Sequence, residues 1–145
     1  MYNNTTYAHT KYQNNRWDVI AFSGVFHIIF AQFIYILLYP FNMDAFVGII
    51  IGSLLPDIDT PHSILGRYNL FVGGMKHRGF THTILSMIIF TWAIKSMFSH
   101  VAAGFLFGYA MHLIMDGLTP MGIMWMFPFK LKYYSLWKNK KPSRN

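Results

Sequence analysis

The run VAAGFLFGYAMHLIMDGL, residues 101–118, is apolar along its whole length except for two ionisable side chains near its end. Its length and polarity predict a hydrophobic helix. His112 and Asp116 are four positions apart, so they share one face of that helix, with Cβ atoms about 5–6 Å apart. One metal ion can be bound at this spacing. The alternative is a buried His–Asp hydrogen bond that joins two helices.

Three further apolar segments lie at residues 17–39, 44–56 and 81–98. Charged residues make up 12% of the chain, against about 25% in a typical soluble domain. We therefore expect an all-α, polytopic membrane protein with about four transmembrane or re-entrant helices. The run at 119–129 is apolar but broken by proline and glycine, which favours an interfacial or re-entrant piece.

The lysines and arginines indicate how these segments are oriented. With four spans, the N-terminal tail, the loop at 57–80 and the C-terminal tail share one side, and only Lys95 of the 12 basic residues falls elsewhere. Because an excess of basic residues marks the cytoplasmic side, both termini are predicted to be cytoplasmic, with the protein in the cell (inner) membrane. The predicted parts are a polar tail at 1–16, an embedded domain at 17–129 and a basic tail at 130–145.

The rest of the composition limits partners and chemistry. The absence of cysteine excludes disulfides and thiolate metal sites. The polar N-terminus lacks the apolar core of a signal peptide. The net charge of +7 fits a cytoplasmic face beside anionic lipid, so membrane lipid is an expected partner and nucleic acid is not. The oligomeric state is left open by the sequence.

The motif LLPDIDTP, residues 54–61, holds two of only five acidic residues. Pro56 is expected to end the preceding helix. In an extended stretch Asp57 and Asp59 project to the same side, and two adjacent carboxylates repel each other unless a cation lies between them. The alternative is an Asx-type turn with a helix cap.

The motif HRGFTH, residues 77–82, precedes the third apolar segment. Thr81 suits an N-cap, which places His77 in the loop and His82 in the first helical turn, where both can face one ion. Arg78 has the forked donors that suit a phosphate or carboxylate. The alternatives are a capped helix start with two interfacial histidines, and an arginine that only marks the cytoplasmic side.

The other histidines differ in weight. His27 lies in the middle of the first apolar segment, where an ionisable residue is by default a functional hypothesis; its alternative is a hydrogen bond to a neighbouring helix. His62 belongs to the loop, as a ligand or a solvated side chain. His9 and His100 are assigned no chemistry.

Six candidate ligands from separate segments are brought to one side by this topology. Mixed His/Asp ligation suits zinc, manganese or iron(II). A typical catalytic zinc has three protein ligands, and six candidates exceed that number. Either two metals are bound, or some of the six orient the ligands by hydrogen bonding instead of binding metal. The six are Asp57, Asp59, His77, His82, His112 and Asp116.

The motifs LLPDIDTPHSILGR, HRGFTHT and GYAMHLIMDGLTPMGIMWMFPF, in this order, resemble the YdjM-like family, described as LexA-regulated, membrane-bound, metal-dependent hydrolases of bacteria and their phages. The resemblance covers about residues 50–129. It implies that the same six residues form the metal centre and that His27, or alternatively His9, is the counterpart of an early family histidine. The family often has a histidine where this chain has Thr60. The HxxxD pair is also similar to zinc-dependent phospholipase C, which points to phosphoesters.

The resulting expectation is a hydrolase that uses one or two divalent ions, zinc before manganese or iron, to cleave a phosphoester of a lipid-like, anionic amphiphile at the cytoplasmic leaflet. Asp57 or Asp59 would act as base. Arg78, with Arg67 or Lys76, would hold the substrate anion, and the loop at 63–76 is a candidate lid. The alternatives are a transporter or a proton or metal relay, and a non-enzymatic membrane protein with a structural metal.

Overall fold

The computed structural model describes residues 24–59, 63, 79–119, 122–126, 128–129 and 134–136. Within these residues the protein is all-α, as predicted. The helices are α1 (Gly24–Leu38), α2 (Met43–Leu54), α3 (Ile84–Met97) and α4 (Ala102–Leu118). A 3₁₀ turn at Leu55–Asp59 follows α2, and another at Phe80–His82 precedes α3. Both predicted tails, and with them the domain boundaries at 16–17 and 129–130, lie wholly or partly outside the described residues.

The four predicted helices are confirmed, whereas the predicted membrane spans are not seen. Within the described part of the chain, no helix combines the length and the apolar character that crossing a membrane requires. The described residues of 119–129 form turns rather than a helix, and Ile123 pairs with Tyr134 in an isolated antiparallel bridge.

Helices α2 and α4 pack backbone to backbone, because each presents glycine where the two helices cross. A Cβ at Gly52 would overlap the carbonyl of Phe105, and a Cβ at Gly108 would overlap the backbone of Ile49. The remaining two helices lie against this pair, with α1 contacting both of its members. The core lies along α4, where Phe105, Tyr109 and Leu113 are buried.

The turn after α2 differs from the predicted extended stretch. Pro56 does lie just beyond the end of α2, but the chain then tightens into the 3₁₀ turn Leu55–Asp59. With about three residues per turn, side chains two apart point in different directions. The prediction that Asp57 and Asp59 project to the same side is therefore wrong, although both are buried.

The start of α3 also differs from its prediction. The N-cap is Thr83 rather than Thr81, and His82 belongs to the preceding 3₁₀ turn instead of the first turn of the helix. Thr83 and Ser86 form a reciprocal capping box, which satisfies two backbone N–H groups at the helix start. Thr81 therefore does not cap α3, and its hydroxyl contacts Asp59 instead.

We expect Thr83→Ala to lower the free energy of unfolding by about 1 kcal/mol, the usual cost of a lost N-cap. Thermal unfolding followed by circular dichroism measures it, with Ser96→Ala on the exposed part of α3 as the control. An unchanged midpoint for Thr83→Ala would show that this cap does not form.

Candidate metal centre

Six ionisable side chains from four elements meet between the helices, and each is buried. Helix α1 supplies one histidine, the two 3₁₀ turns supply two aspartates and one histidine, and α4 supplies its predicted pair. They are His27, Asp57, Asp59, His82, His112 and Asp116. Five of them belong to the six ligands expected from the topology, and the sixth is the histidine of the first apolar segment.

The remaining predicted site residues lie outside the described residues. They are His77, Arg78, Arg67, Lys76, His62 and His9. His100, which was assigned no chemistry, is exposed between α3 and α4.

Two imidazole nitrogens in this cluster lie close to each other and to two carboxylate oxygens. His82 Nε2 and His112 Nε2 are 3.4 Å apart, and each is 3.6 Å from Asp57 Oδ1. Asp116 Oδ2 lies 3.2 Å from His82 Nε2 and 3.8 Å from His112 Nε2. These atoms therefore form a compact set of two nitrogens and two oxygens.

This spacing fits a small divalent cation. Zinc–nitrogen and zinc–oxygen bonds of about 2.0–2.1 Å in tetrahedral geometry separate neighbouring donors by about 3.3–3.4 Å. Asp57, His82 and His112 match that separation closely, and all three could bind one ion. Imidazole and carboxylate without thiolate is the donor set typical of catalytic zinc and of manganese or iron(II).

The tautomer of His112 is set by the end of α2. His112 Nδ1 donates a hydrogen bond of 2.7 Å to the Ser53 carbonyl, which leaves Nε2 with its lone pair toward Asp57. Ser53 lies in the last turn of α2, where helix carbonyls lack an intrahelical partner and need another donor. Such a contact on the far ring nitrogen is typical of metal-binding histidines.

The ring of His82 is oriented in a similar way, by a contact on its other ring nitrogen. Asp59 Oδ2 lies 3.4 Å from Nδ1, the ring nitrogen opposite the one that faces Asp57 and Asp116. The Thr81 hydroxyl donates a 2.9 Å hydrogen bond to the same Asp59 oxygen. Asp59 thus occupies the position of an orienting carboxylate behind a ligand.

A further hydrogen-bond chain fixes this segment against α3 and α4. The Tyr109 hydroxyl donates to the Thr81 carbonyl, and the Ser86 hydroxyl donates to the same carbonyl over 3.0 Å. Burial raises the cost of any unpaired polar group here, so the three groups hold the turn before α3 in one conformation.

We expect Asp59→Asn to weaken metal binding by about 10–100-fold without abolishing it, the usual effect of changing an outer partner of a ligand. Competition with a chelator measures the affinity, and Asp44→Asn, at an exposed aspartate in the first turn of α2, is the matched control. A complete loss of metal would instead identify Asp59 as a direct ligand.

Asp57 differs from the other members in charge state and access. Burial raises its pKa, but the hydrogen bond with His82 and the positive potential of the histidines outweigh burial, so the pKa lies below its ordinary value. The carboxylate is therefore ionised at neutral pH and suited to a cation. Its side chain is 13% exposed, against 0–4% for the other members of the donor set, so the centre is most accessible beside Asp57.

The sequence left three contributors unnoticed. Thr81 was considered only as a cap, and Tyr109 only as part of an apolar run. Ser53 contributes a backbone carbonyl, for which no residue type is a signal. Their roles depend on which elements pack together, and that information is not local to any motif.

Comparisons with known proteins agree with this arrangement of motifs. The sequence model of the family described as YdjM inner membrane protein matches residues 22–143. Inner membrane protein YdjM of Escherichia coli (strain K12) is 31% identical over 96 residues, covering 58% of this chain and 49% of that protein. Uncharacterized protein YvsG of Bacillus subtilis (strain 168) is 33% identical over 89 residues, covering 57% and 56%.

The chain spans about half the length of the curated relatives it matches. No solved structure matches it. The match to the family model nevertheless extends from before α1 to beyond α4 and includes all six residues of the buried cluster. The chain therefore belongs to the YdjM family of inner membrane proteins.

Proposed function

We propose that this protein is a membrane-bound, metal-dependent hydrolase that cleaves a phosphoester or related bond of a lipid-like substrate at the cytoplasmic leaflet. The observation that supports this most directly is the triangle of Asp57, His82 and His112 donor atoms, 3.4–3.6 Å apart in a buried centre. Three imidazole or carboxylate ligands are the usual protein share of a catalytic zinc site.

A divalent ion bound by these residues would polarise the scissile group and lower the pKa of a water. The protein's own part is to hold His112 and His82 in fixed orientations through Ser53 and Asp59. Asp116 Oδ2 lies 3.2 Å from His82 Nε2, so its carboxylate borders the same ion. We assign Asp59 to orientation, whereas the sequence also allowed it a role as base.

Substrate binding is proposed for basic residues of the loop that precedes the turn of His82 in the sequence. Arg78 directly precedes the described turn that carries His82, and its guanidinium suits a phosphate. Arg67 and Lys76 belong to the same cytoplasmic loop in the predicted topology. Together they would bind the anionic head of an amphiphile next to Asp57, the most accessible member of the centre.

Lipid is the proposed surrounding, because large apolar side chains cover the outside of the helices. Phe33 and Leu37 on α1 are 58% and 64% exposed, and Trp92 on α3 is 71% exposed. Large apolar side chains exposed in this number indicate contact with a membrane or a protein, and the family is one of inner membrane proteins. We keep the multi-pass topology with cytoplasmic termini as part of this proposal.

The test combines metal content with turnover. Purified protein in detergent should contain stoichiometric zinc or manganese and should release phosphate from vesicles of anionic phospholipid or from a chromogenic phosphodiester. Asp57→Asn should lose turnover, while Asp44→Asn should retain it. Absence of bound transition metal in the unmodified protein would contradict the proposal.

A structural metal is the second candidate, and one observation favours it. Asp116 Oδ2 completes a fourth corner at 3.2 and 3.8 Å from the two histidines, and structural zinc sites are closed by four protein ligands. Stoichiometric metal without turnover on any phosphoester, with loss of folding on metal removal, would identify this role.

A further inference from the structure

We propose that the centre binds two divalent cations and that the carboxylate of Asp116 is shared between them. This inference rests on the proposed function, in which Asp57, His82 and His112 bind the first cation. The second position would lie on the α1 side of the cluster, between His27 and Asp116. It would adapt the centre to a phosphoester, whose attacking and leaving oxygens two cations can stabilise together.

The two oxygens of Asp116 face different histidines. Oδ2 lies 3.2 Å from His82 Nε2 and 3.8 Å from His112 Nε2. Oδ1 lies 3.9 Å from His27 Nε2. One carboxylate thus connects the first donor set with a histidine from another helix, which is how a bridging carboxylate is arranged.

The separation of His27 and Asp116 suits a cation better than a direct contact. At 3.9 Å it exceeds the roughly 2.7–3.2 Å of an N–H···O hydrogen bond. Two bonds of about 2.1 Å to one ion span at most about 4.2 Å, so a cation can contact both atoms. His27 is fully buried, and its ring centroid lies 3.9 Å from that of His112.

His112 itself is not available to both cations. Its Nδ1 donates to the Ser53 carbonyl, and its Nε2 faces Asp57 and His82. The second cation therefore depends on carboxylate oxygens. Asp57 Oδ1 faces His82, while Oδ2 lies 3.8 Å from the position that a Cβ would take at Gly24, so this carboxylate also borders α1.

The charges within the cluster agree with two cations. The three aspartates contribute −3 when ionised, so a single divalent ion leaves −1 on the side chains of the buried set, which would repel a phosphate. Two divalent ions leave +1, which attracts it. Buried charge without compensation is costly, so the second cation removes a penalty and creates an anion site.

Manganese loading of the full-length protein tests this inference, with elemental analysis for stoichiometry and electron paramagnetic resonance for metal–metal coupling. The unmodified protein should hold two manganese ions per chain and give an exchange-coupled signal. His27→Ala should hold one and give an uncoupled signal. His100→Ala, at an exposed histidine, should match the unmodified protein.

The outcomes separate this inference from the proposed function. One uncoupled manganese in the unmodified protein, unchanged by His27→Ala, would overturn the second site and leave the first intact. No bound manganese at all would overturn both. Should His27→Ala fail to fold, stepwise titration of the unmodified protein still decides, because two binding events with a coupled signal only after the second support the inference, and a single event overturns it.

Discussion

His112→Ala is expected to abolish stoichiometric metal binding and, with it, the proposed hydrolysis. His112 has the most constrained geometry of the cluster, since one ring nitrogen is held by Ser53 over 2.7 Å and the other lies 3.4–3.6 Å from the donors of His82 and Asp57. Changes behind a ligand usually weaken binding about 10–100-fold, so removing a ligand itself should weaken it by more than about 100-fold. The alanine also removes the imidazole beside Asp57 and Asp116, so the negative charges of these two carboxylates are less well compensated.

The measurement is the metal content of the purified variant after equilibrium dialysis, with chelator competition to quantify any residual affinity. His100→Ala is the matched control because it removes an exposed histidine from the same chain. Circular dichroism shows whether His112→Ala retains its helices. A folded variant with an unchanged metal content would exclude His112 as a ligand and with it the proposed centre.

Much of this site followed from local sequence patterns. The spacing of His112 and Asp116 fixes them on one helix face, and a helix of that length is strongly specified by its apolar run. The sequence also predicted that Asp57 and His82 lie together, and they do, although the membrane spans used in that argument are not seen among the described residues. These features depend on short-range geometry, which sequence determines well.

The roles inside the cluster needed the three-dimensional structure. Asp57 and Asp59 were expected to face one ion together, but the 3₁₀ turn sends them to opposite nitrogens of His82. An extended stretch and a 3₁₀ turn differ by a rotation of roughly 150° in ψ at the residues after Pro56, and packing against the turn of His82 decides between them. The contribution of Ser53 depends on how closely α2 approaches α4.

Gly52→Ala is expected to cause a large loss of stability, although it adds only one methyl group. A Cβ there would overlap the carbonyl of Phe105 and approach the backbone of Tyr109 within 3.0 Å. These neighbours are helix backbone and cannot rotate away, unlike a side chain. Overpacking costs about 1–3 kcal/mol even where side chains can adjust, so separation of α2 from α4 should cost at least the upper part of that range.

Helix packing and helix propensity predict opposite changes in the unfolding midpoint, so the direction of the change decides between them. In an isolated helix, replacing glycine by alanine stabilises by about 1 kcal/mol, so helix propensity alone predicts a higher unfolding midpoint. Gly24→Ala is the matched control, because its Cβ would meet side-chain ends rather than backbone, Leu54 Cδ2 at 3.0 Å and Asp57 Oδ2 at 3.8 Å. Thermal unfolding in detergent should show a lower midpoint for Gly52→Ala and little change for Gly24→Ala.

The same substitution should also weaken metal binding, because Gly52 is adjacent to Ser53. Any shift of α2 away from α4 lengthens the hydrogen bond between the Ser53 carbonyl and His112, now 2.7 Å, and releases the ring that this bond orients. Gly108→Ala, which approaches Ile49 from the opposite helix, should reproduce both losses. A Gly52→Ala protein with an unchanged midpoint and full metal content would show that the two helices do not cross this closely, and the orientation of His112 would then require another cause.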